Sequence, residues 1–296
     1  MIADLRRSAL FVPVGVDRFY AKAAASGADV IVLDLEDSVR REGKGRARGQ
    51  LDTARRAVHA RRLAVRVNAD ADLIADDIAA CAACRADELI LPKVGSAEDI
   101  AAARRLVARH SGWRPALSIL VETLDALRQL PALLRQGGPI ASVALGMADL
   151  SAQVLLSAPG RTSADDLRWV HGQFLLWAAG SGSTPIGILG DLGNFADTGE
   201  FRRAAAAAWR AGYRGTYCIH PGQVAIANAA YAPDHDDLQW AQSVLQAAAQ
   251  AEQQGRGSAA LAGAMVDAPI VRRARRIIDY HEAVHSQGLT GREGPR

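Results

Sequence analysis

The sequence contains few of the residues that cross-link small secreted proteins. Three cysteines occur in 296 residues, which excludes a disulfide-rich scaffold and favours a reducing, cytoplasmic location. Cys81 and Cys84 form a CxxC pair in "DDIAACAACRADE", but a zinc or redox site would need a second pair or a strand-to-helix turn. We therefore interpret this pair as part of a buried helix face.

The sequence also lacks a large excess of charge and any long apolar run. Its formal net charge is +3, which is too small to indicate a nucleic-acid-binding protein. No apolar run approaches the roughly 20 residues needed to span a membrane, and the N-terminus shows no secretory pattern. Arginine supplies most of the basic residues, and its guanidinium suits phosphate and carboxylate groups. We therefore expect small molecules as partners, without nucleic acid or membrane.

Short apolar runs alternate with stretches of helical period over residues 1–230. Strands are predicted at 8–14, 29–36, 63–68, 88–94, 116–122, 142–148, 185–191 and 215–221. This alternation predicts parallel strands joined by right-handed crossovers, and eight such units fit a (β/α)8 TIM barrel of about 250 residues. A doubly wound open sheet is the alternative, but no GxGxxG follows the first strand.

The pattern changes after residue 230. The segment "LQWAQSVLQAAAQAEQQG" has the period of an amphipathic helix, "RGSAALAGAMV" is typical of a Gly/Ala-rich loop, and "APIVRRARRIIDYHEAVH" is helical again. We predict a catalytic barrel over 1–230 and a C-terminal helical extension or lid over 231–296.

Acidic residues stand where two neighbouring strands of the predicted barrel end. Glu122 closes the run "ALSILVE", and Asp149 follows "VALGMA". The active sites of such barrels lie at the carboxyl ends of the strands. A pair of carboxylates with open positions for water or substrate suits Mg²⁺, whereas two solvated acids are the alternative.

Other charged residues are expected at the same end of the barrel. Arg66, inside "AVRVN", must meet an anion if it points inward, and that anion is either a substrate or one of the acids Glu36 and Asp37. Those two acids would orient metal-bound water or begin the next helix. Arg18 and Lys22 share a helix face at i, i+4, which either holds a phosphate-bearing substrate arm or is solvated.

An ordered set of short motifs runs through nearly the whole chain. They are "LRRSALFVP", "LDLEDSV", "VRVN", "LPKV", "VET", "LGMADLSA", "CIHPGQVAIAN" and, near the end, "GAMVDAP". Together they resemble the citrate lyase β-subunit-like (CitE-like) family of the HpcH/HpaI aldolase superfamily.

This resemblance implies a Mg²⁺-dependent TIM barrel that assembles as a homotrimer or hexamer. It implies that Glu122 and Asp149 bind the metal and that Arg66 binds substrate and acts in catalysis. Phe11, Arg18 and Lys22 fall where family members contact the CoA substrate. Asp267 matches a tail acid that reaches a neighbouring subunit's site as acid/base, although an N-cap is its alternative role.

The expected activity is cleavage of a 3-hydroxyacyl-CoA dicarboxylate of the malyl-CoA or citramalyl-CoA type to acetyl-CoA and a 2-oxoacid. The alternatives are a citrate lyase β-subunit that acts on a citryl carrier, a CoA-free aldolase, and a catalytically weakened acyl-CoA-binding paralogue. The last is suggested by positions that depart from the family pattern, namely Val14, Gly95, Ala126, Gln153 and Leu189.

Overall fold

A computed structural model describes residues 5–154 and 167–290. Eight of the apolar runs form short strands, and most of their residues are buried on both faces, as parallel strands covered by helices require. These strands are β1 (Ser8–Pro13), β2 (Val30–Asp34), β3 (Leu63–Arg66), β4 (Glu88–Leu91), β5 (Ala116–Val121), β6 (Ser142–Leu145), β7 (Thr184–Ile186) and β8 (Thr216–Cys218).

Helices connect these strands, and several begin at side-chain caps. Ser96 caps α4 together with Asp99, and the Thr123 hydroxyl accepts a hydrogen bond from Ala126 N at 3.0 Å at the start of α5. The helices around the strands are α1 (Tyr20–Ala24), α2 (Lys44–Val58), α3 (Ile74–Ala83), α4 (Ala97–Ala108), α5 (Leu124–Gln136), α6 (Met147–Val154), α7 (Arg168–Ala179), α8 (Thr198–Ala211) and α9 (Pro221–Ala230).

The strands pair in parallel in the order β7-β6-β5-β4-β3-β2-β1-β8. A parallel bridge between Ile186 and Gly215 joins the two ends of this sheet. Gly215 allows the closure because a Cβ at this position would lie 1.7 Å from the Arg6 carbonyl oxygen. The predicted (β/α)8 TIM barrel is therefore confirmed, and the open doubly wound sheet is excluded.

Alternate strand residues fill the inside of the barrel, as expected for strands whose side chains alternate between two faces. A larger apolar cluster lies between the strands and the surrounding helices. The inner cluster consists of Ala9, Val30, Val32, Ala64, Ile90, Leu120, Ala144, Ile186 and Tyr217.

A buried polar network occupies the amino end of the barrel interior. Arg6 Nη1 donates to both carboxylate oxygens of Glu88 at 2.6 and 2.5 Å. The Ser118 hydroxyl donates to Glu88, and the Ser142 hydroxyl donates to Ser118 at 2.7 Å. Because these buried polar groups are paired with one another, they close this end of the barrel without an uncompensated charge.

The element boundaries differ from the predicted ones at the carboxyl ends of the strands. The run 142–148 ends as a strand at Leu145, and α6 begins at Met147. The helix predicted to carry both Arg18 and Lys22 is instead a 3-10 turn over Asp17–Phe19 followed by α1. In both places a turn replaces regular structure close to residues expected in the site.

The chain divides into two compact units, residues 6–231 and a second unit that contains Leu5 and residues 232–290. In the second unit, α10 (His235–Gln253) and α11 (Ala268–Thr290) pack around Val244, Val266 and Ala274. The prediction of a Gly/Ala-rich loop is wrong in part, because this segment contains an antiparallel hairpin of β9 (Ala259–Leu261) and β10 (Ala264–Val266). Ala262 and Gly263 form its turn with φ of 48° and 80°, as two-residue hairpin turns require.

All three cysteines are free and buried. Cys81 lies on α3 and Cys84 directly after its end, and burial raises the pKa of both thiols, so the CxxC pair has a packing role. In the part of the chain that the structure describes, no helix combines the length and the apolarity needed to cross a membrane.

Candidate active site

The carboxyl end of the barrel collects polar side chains directly above the inner apolar cluster. Asp34, Arg66 and Glu122 stand two positions after inner residues of β2, β3 and β5. Because strand side chains alternate in direction, these three also face the barrel axis. Phe11 occupies the equivalent position on β1 and packs against the inner cluster.

Three acids hold the Arg66 guanidinium. Its Nε and Nη2 donate to Asp34 at 2.7 and 2.8 Å, while Nη1 lies 3.1 Å from Glu36 and 3.0 Å from Asp37. Burial acts to raise the pKa of Asp34, but the hydrogen bonds and charge of Arg66 outweigh it and hold that pKa below its ordinary value. The ion-pair alternative for Arg66 is therefore realised, with Asp34 as a partner that the sequence did not indicate.

Glu36 is a buried carboxylate whose oxygens are incompletely satisfied. Its Oε1 lies 2.8 Å from Lys93 Nζ and its Oε2 3.1 Å from Arg66 Nη1, yet neither oxygen accepts a well-aligned hydrogen bond. Burial raises the pKa of this carboxyl group despite the opposing contacts with Lys93 and Arg66. Helix α2 begins only at Lys44, so the proposed N-cap role of Glu36 and Asp37 is wrong.

Glu122 follows β5 and is 5% exposed. Its pKa is raised to about 7, chiefly by burial and also by the negative charges of Glu36 and Asp149. A hydrogen bond from Lys93 N acts in the opposite direction and lowers this pKa. That bond to Glu122 Oε2 is 2.6 Å long. Lys93 adopts a φ of 52°, which is uncommon for a residue with a side chain, and it thereby contacts Glu122 through its N–H and Glu36 through its ammonium group.

Gly146 gives the Glu122 side chain its space. A Cβ at this position would lie 3.2 Å from Glu122 Oε1 and only 2.4 Å from Glu122 Cγ. The second distance is shorter than two non-bonded carbon atoms can approach. The side chain of Glu122 therefore passes directly over the backbone between β6 and α6. This contact ties the position of Glu122 to the turn that carries Asp149.

Asp149 is exposed in the first turn of α6. The Gln153 amide joins this turn to the end of β5, because its Nε2 donates to Glu122 O at 2.9 Å and to Asp149 O at 3.0 Å. At the position where the resembled family has an aspartate, glutamine supplies the two donor hydrogens that a carboxylate lacks. The departure at Gln153 therefore strengthens the connection between the two acids.

The donor set of this site fits Mg²⁺. Glu122 and Asp149 offer hard carboxylate oxygens, and Mg²⁺ is commonly held by one or two carboxylates with water and substrate in its other positions. Within residues 5–154 and 167–290, no three His, Cys, Asp or Glu side chains converge as a complete metal cage.

The residues predicted to contact CoA lie on β1, in the 3-10 turn that follows it and on α1. The Phe11 ring packs against Tyr217 at a centroid distance of 4.9 Å, and the Arg66 guanidinium lies 4.8 Å over its face. Phe11 is thus brought together with Arg66. Arg18 and Lys22 are both exposed, with the Arg18 guanidinium 5.0 Å over the Phe19 ring, and their contact with CoA stays a prediction.

Asp267 belongs to the second unit and precedes α11. Its Oδ1 accepts a hydrogen bond from Ile270 N at 3.3 Å, and its carbonyl accepts one from Val271 N at 3.0 Å. The N-cap role is therefore present, while the acid/base role stays a prediction. His220 likewise caps α9, because its Nδ1 accepts a hydrogen bond from Gly222 N at 3.1 Å.

Two residues of the site, Asp34 and Gly146, were missing from the sequence-based set, and Gln153 entered it only as a departure from the family pattern. The two-residue period of β2 could have identified Asp34, because it places this acid on the same face as the inner valines. No sequence signal distinguishes the roles of Lys93 and Gly146, since one depends on a left-handed backbone and the other on a steric contact between different strands.

Known proteins share this arrangement of sequence and fold. The L-malyl-CoA/beta-methylmalyl-CoA lyase of Cereibacter sphaeroides is 28% identical over 94% of this chain and 95% of its own length. The (3S)-malyl-CoA thioesterase of the same species is 32% identical over 96% of this chain and 97% of its own. The crystal structure of CitE from Mycobacterium tuberculosis with magnesium, acetoacetate and coenzyme A superposes with a TM-score of 0.74 at 28% identity, covering 95% of this chain and 100% of that one.

The model of the HpcH/HpaI aldolase/citrate lyase family matches residues 7–221, a range that contains every strand of the barrel and both acids of the predicted metal site. The resemblance found in the short motifs is thereby confirmed, and the chain belongs to the HpcH/HpaI aldolase/citrate lyase family.

Proposed function

We propose that this protein is a Mg²⁺-dependent carbon–carbon lyase that cleaves a 3-hydroxyacyl-CoA dicarboxylate of the malyl-CoA or citramalyl-CoA type. The products are acetyl-CoA and a 2-oxoacid. The observation that carries this proposal is the buried Glu122 carboxylate, whose pKa of about 7 reflects burial beside Glu36 and Asp149. A cation bound there would relieve this cost, and the relatives that bind magnesium and CoA compounds support its identity as Mg²⁺.

Mg²⁺ bound at Glu122 and Asp149 would act as a Lewis acid toward the carboxylate and adjacent oxygen of the oxoacid portion. Arg66 would orient that portion, since its guanidinium is already fixed by Asp34 and loses little freedom when substrate arrives. The Asp267 carboxylate would take the hydroxyl proton as the carbon–carbon bond breaks. The bonding electrons then pass to the carbon next to the thioester carbonyl, which becomes an enolate and must be protonated. We assign this last proton to Asp267.

The CoA arm would lie over β1 and the following turn. Phe11 offers a ring face beside Arg66, and the exposed Arg18 and Lys22 offer two cations for the phosphate groups of CoA. These contacts would bind the part of the substrate that does not react, and therefore affect KM for the thioester more than the chemical step.

Asp267 would complete the site of a neighbouring copy in a homotrimer or hexamer, with the second unit serving as a lid. A lid of this kind excludes water from the enolate and brings the proton donor only when substrate is bound. The cytoplasm is the compartment we propose, in keeping with three free, buried thiols.

The activity is tested by incubating purified protein with malyl-CoA and citramalyl-CoA, with Mg²⁺ or with EDTA, and identifying products by mass spectrometry. With Mg²⁺, we expect acetyl-CoA together with an equal amount of glyoxylate from malyl-CoA or of pyruvate from citramalyl-CoA. With EDTA, we expect no products. The Glu122→Gln variant should lose turnover. Free CoA with intact malate would instead identify a thioesterase like the Cereibacter relative. Thioester binding without any product would identify the weakened acyl-CoA-binding paralogue.

A further inference from the structure

Lysine is rare in this chain, and two of its few lysines meet the same acid of the candidate site. Of the 35 lysine and arginine residues, only three are lysines, namely Lys22, Lys44 and Lys93. Lys44 Nζ donates to Glu36 O at 2.6 Å, and Lys93 Nζ lies 2.8 Å from Glu36 Oε1. An ammonium group is a compact point charge, whereas a guanidinium group is a planar fork. The chain therefore departs from its general use of arginine where a compact cation stands beside Glu36.

Lys93 occupies a left-handed backbone position in the turn between β4 and α4. Its φ is 52°, a conformation that favours glycine over residues with a side chain. The rest of the turn is fixed, because Val94 is buried and the N–H groups of Gly95 and Ser96 donate to Asp99 Oδ2 at 2.9 and 2.8 Å. Unfavourable backbone angles persist where the surrounding structure enforces them, and they are concentrated at functional sites. Lysine at this position therefore indicates a use for its side chain.

The same residue contacts two buried acids through two different groups. Its N–H donates to Glu122 Oε2 at 2.6 Å, and its half-exposed side chain brings the ammonium group to Glu36. The N–H would remain with any residue other than proline at this position, whereas the cation depends on the side chain. Lys93 thus links the acid that follows β2 to the acid that follows β5.

The main chain of Glu36 is held more firmly than its carboxylate. Its N–H donates to Asp34 Oδ1 at 3.0 Å, and its carbonyl oxygen accepts the hydrogen bond from Lys44. Neither carboxylate oxygen accepts a well-aligned hydrogen bond, and the Arg66 Nη1 beside Oε2 is shared with a second acid. Loss of the Lys93 ammonium group would therefore leave the Glu36 carboxylate without its compact counter-ion and allow it to reorient.

We propose that Lys93 is a positioning residue for the lyase reaction, because it holds Glu36 and Glu122 in one fixed arrangement. The inference rests on the proposed function, in which Glu122 binds Mg²⁺. The N–H of Lys93 orients this ligand, and its ammonium group keeps the Glu36 carboxylate beside it. Loss of the ammonium group should lower kcat, which depends on the placement of the reacting groups. It should leave KM for the thioester nearly unchanged, because the CoA arm does not contact Lys93 in the proposed binding mode.

Lysine labelled with nitrogen-15 tests the arrangement in the metal-free protein. Three lysines give three backbone amide signals in an NMR spectrum, and the variant Lys93→Cys identifies the signal of Lys93 by its disappearance. We expect the amide proton of Lys93 to lie farther downfield than those of Lys22 and Lys44, because hydrogen bonds to carboxylates are short and strong.

The variant Glu36→Gln should shift the Lys93 signal, because it removes the charge that the ammonium group contacts. The control Asp125→Asn, at an exposed acid on α5, should leave this signal in place. A Lys93 amide proton without a downfield position, or one that does not respond to Glu36→Gln, overturns the proposal.

Chemical rescue tests the role of Lys93 in turnover. Lys93→Cys removes the ammonium group and keeps the N–H, and alkylation of the new thiol with 2-bromoethylamine restores an ammonium group on a side chain of nearly the same length. The three native cysteines are buried, so the reagent should react with the introduced thiol. The matched control is Arg128→Cys, at an exposed cation on α5 paired with Asp125, treated in the same way.

With the thioester that the wild type cleaves, we expect kcat of Lys93→Cys to fall by at least about tenfold and KM to change by less than about threefold. Alkylation should restore at least about half of the wild-type kcat, and Arg128→Cys should change neither constant, as expected for an exposed ion pair. A normal kcat in Lys93→Cys, or a low kcat that alkylation does not restore, overturns the positioning role. Absence of turnover in the wild type overturns the proposed lyase function instead, and the NMR signals then decide by themselves whether Lys93 holds the two acids.

Discussion

At the scale of single residues, the site is governed by how Glu122 is placed. Its carboxylate is buried, accepts one backbone hydrogen bond from Lys93, and passes over a glycine that leaves no room for a methyl group. A carboxylate with so few partners gains from a cation that the rest of the barrel does not provide. Two predictions follow from this placement.

Gly146→Ala should displace the Glu122 side chain without unfolding the barrel. Gly146 does not need a left-handed backbone, so the added Cβ acts through its contact with Glu122 alone. A shift of about 1 Å in a reacting group can reduce turnover about 10²-fold, and Mg²⁺ affinity measured by titration should fall as well. Gly49→Ala on α2, where a Cβ meets open space, is the matched control and should leave both unchanged. Normal kcat and Mg²⁺ affinity in Gly146→Ala would show that Glu122 is not a ligand.

Glu122 should make the metal-free protein less stable as the pH rises. Its pKa is about 7 in the folded protein against an ordinary value of 4.5, so folding favours the protonated form. The associated stability is present below about pH 4.5 and is lost as the pH rises through about 7. We expect a loss on the order of 2 kcal/mol, measured as the difference in urea unfolding between wild type and Glu122→Gln from pH 5 to pH 8. Parallel pH profiles for the two proteins would contradict the shifted pKa.

At the scale of elements, the strand ends and helix starts decide which side chains meet. Gly146 N donates to Val121 O, so β6 ends beside β5, and α6 then turns Asp149 toward the same end of the barrel. Gln153 on α6 reaches back to the carbonyl oxygens of Glu122 and Asp149. The two acids are therefore connected by backbone and amide contacts.

The start of α11 separates the two roles considered for Asp267. Asp267→Asn keeps a side-chain oxygen for Ile270 N, so it should preserve the helix cap and the melting temperature. Asp267→Ala removes the cap and should cost about 1 kcal/mol of stability. If Asp267 supplies a proton, both variants should lose turnover to a similar extent, because an amide cannot act as the acid. Full activity of Asp267→Asn with malyl-CoA would leave only the capping role.

At the scale of the whole molecule, the barrel has two chemically different ends. The carboxyl end collects acids around Glu122, and the amino end carries several arginines together with a closed internal network around Glu88. Charge is thus segregated although the total is close to neutral.

Sharing of a site between copies should appear when inactive variants are mixed. Asp267→Asn lacks the proposed proton donor and Glu122→Gln lacks a metal ligand, so each should be inactive alone. Mixed oligomers contain some interfaces that pair an intact Glu122 with an intact Asp267, and we expect part of the activity to return. Subunit exchange is verified by native mass spectrometry. If the mixed oligomers are as inactive as each of the two variants alone, Asp267 does not act on a neighbouring copy.

The order of elements and several site residues could be predicted from the sequence, because they depend on local patterns. The alternation of apolar runs with helical stretches predicts parallel strands, and each of the eight predicted runs overlaps an observed strand, although β7 begins one residue before its run. Acids or basic residues at strand ends are visible in the same way, and this is how Glu122, Asp149 and Arg66 were selected. The hairpin in the tail was missed because its strands are only three residues long and rich in alanine.

Contacts between distant segments could not be predicted in this way. The sequence by itself determined that this protein is a parallel barrel with acids at one end, since strand period and helix period are local properties of the chain. Only the tertiary structure decided that Asp34 holds Arg66 and that Lys93 joins Glu36 to Glu122. The physical reason is that these contacts depend on barrel closure, strand register and backbone angles, which bring together residues far apart in the chain.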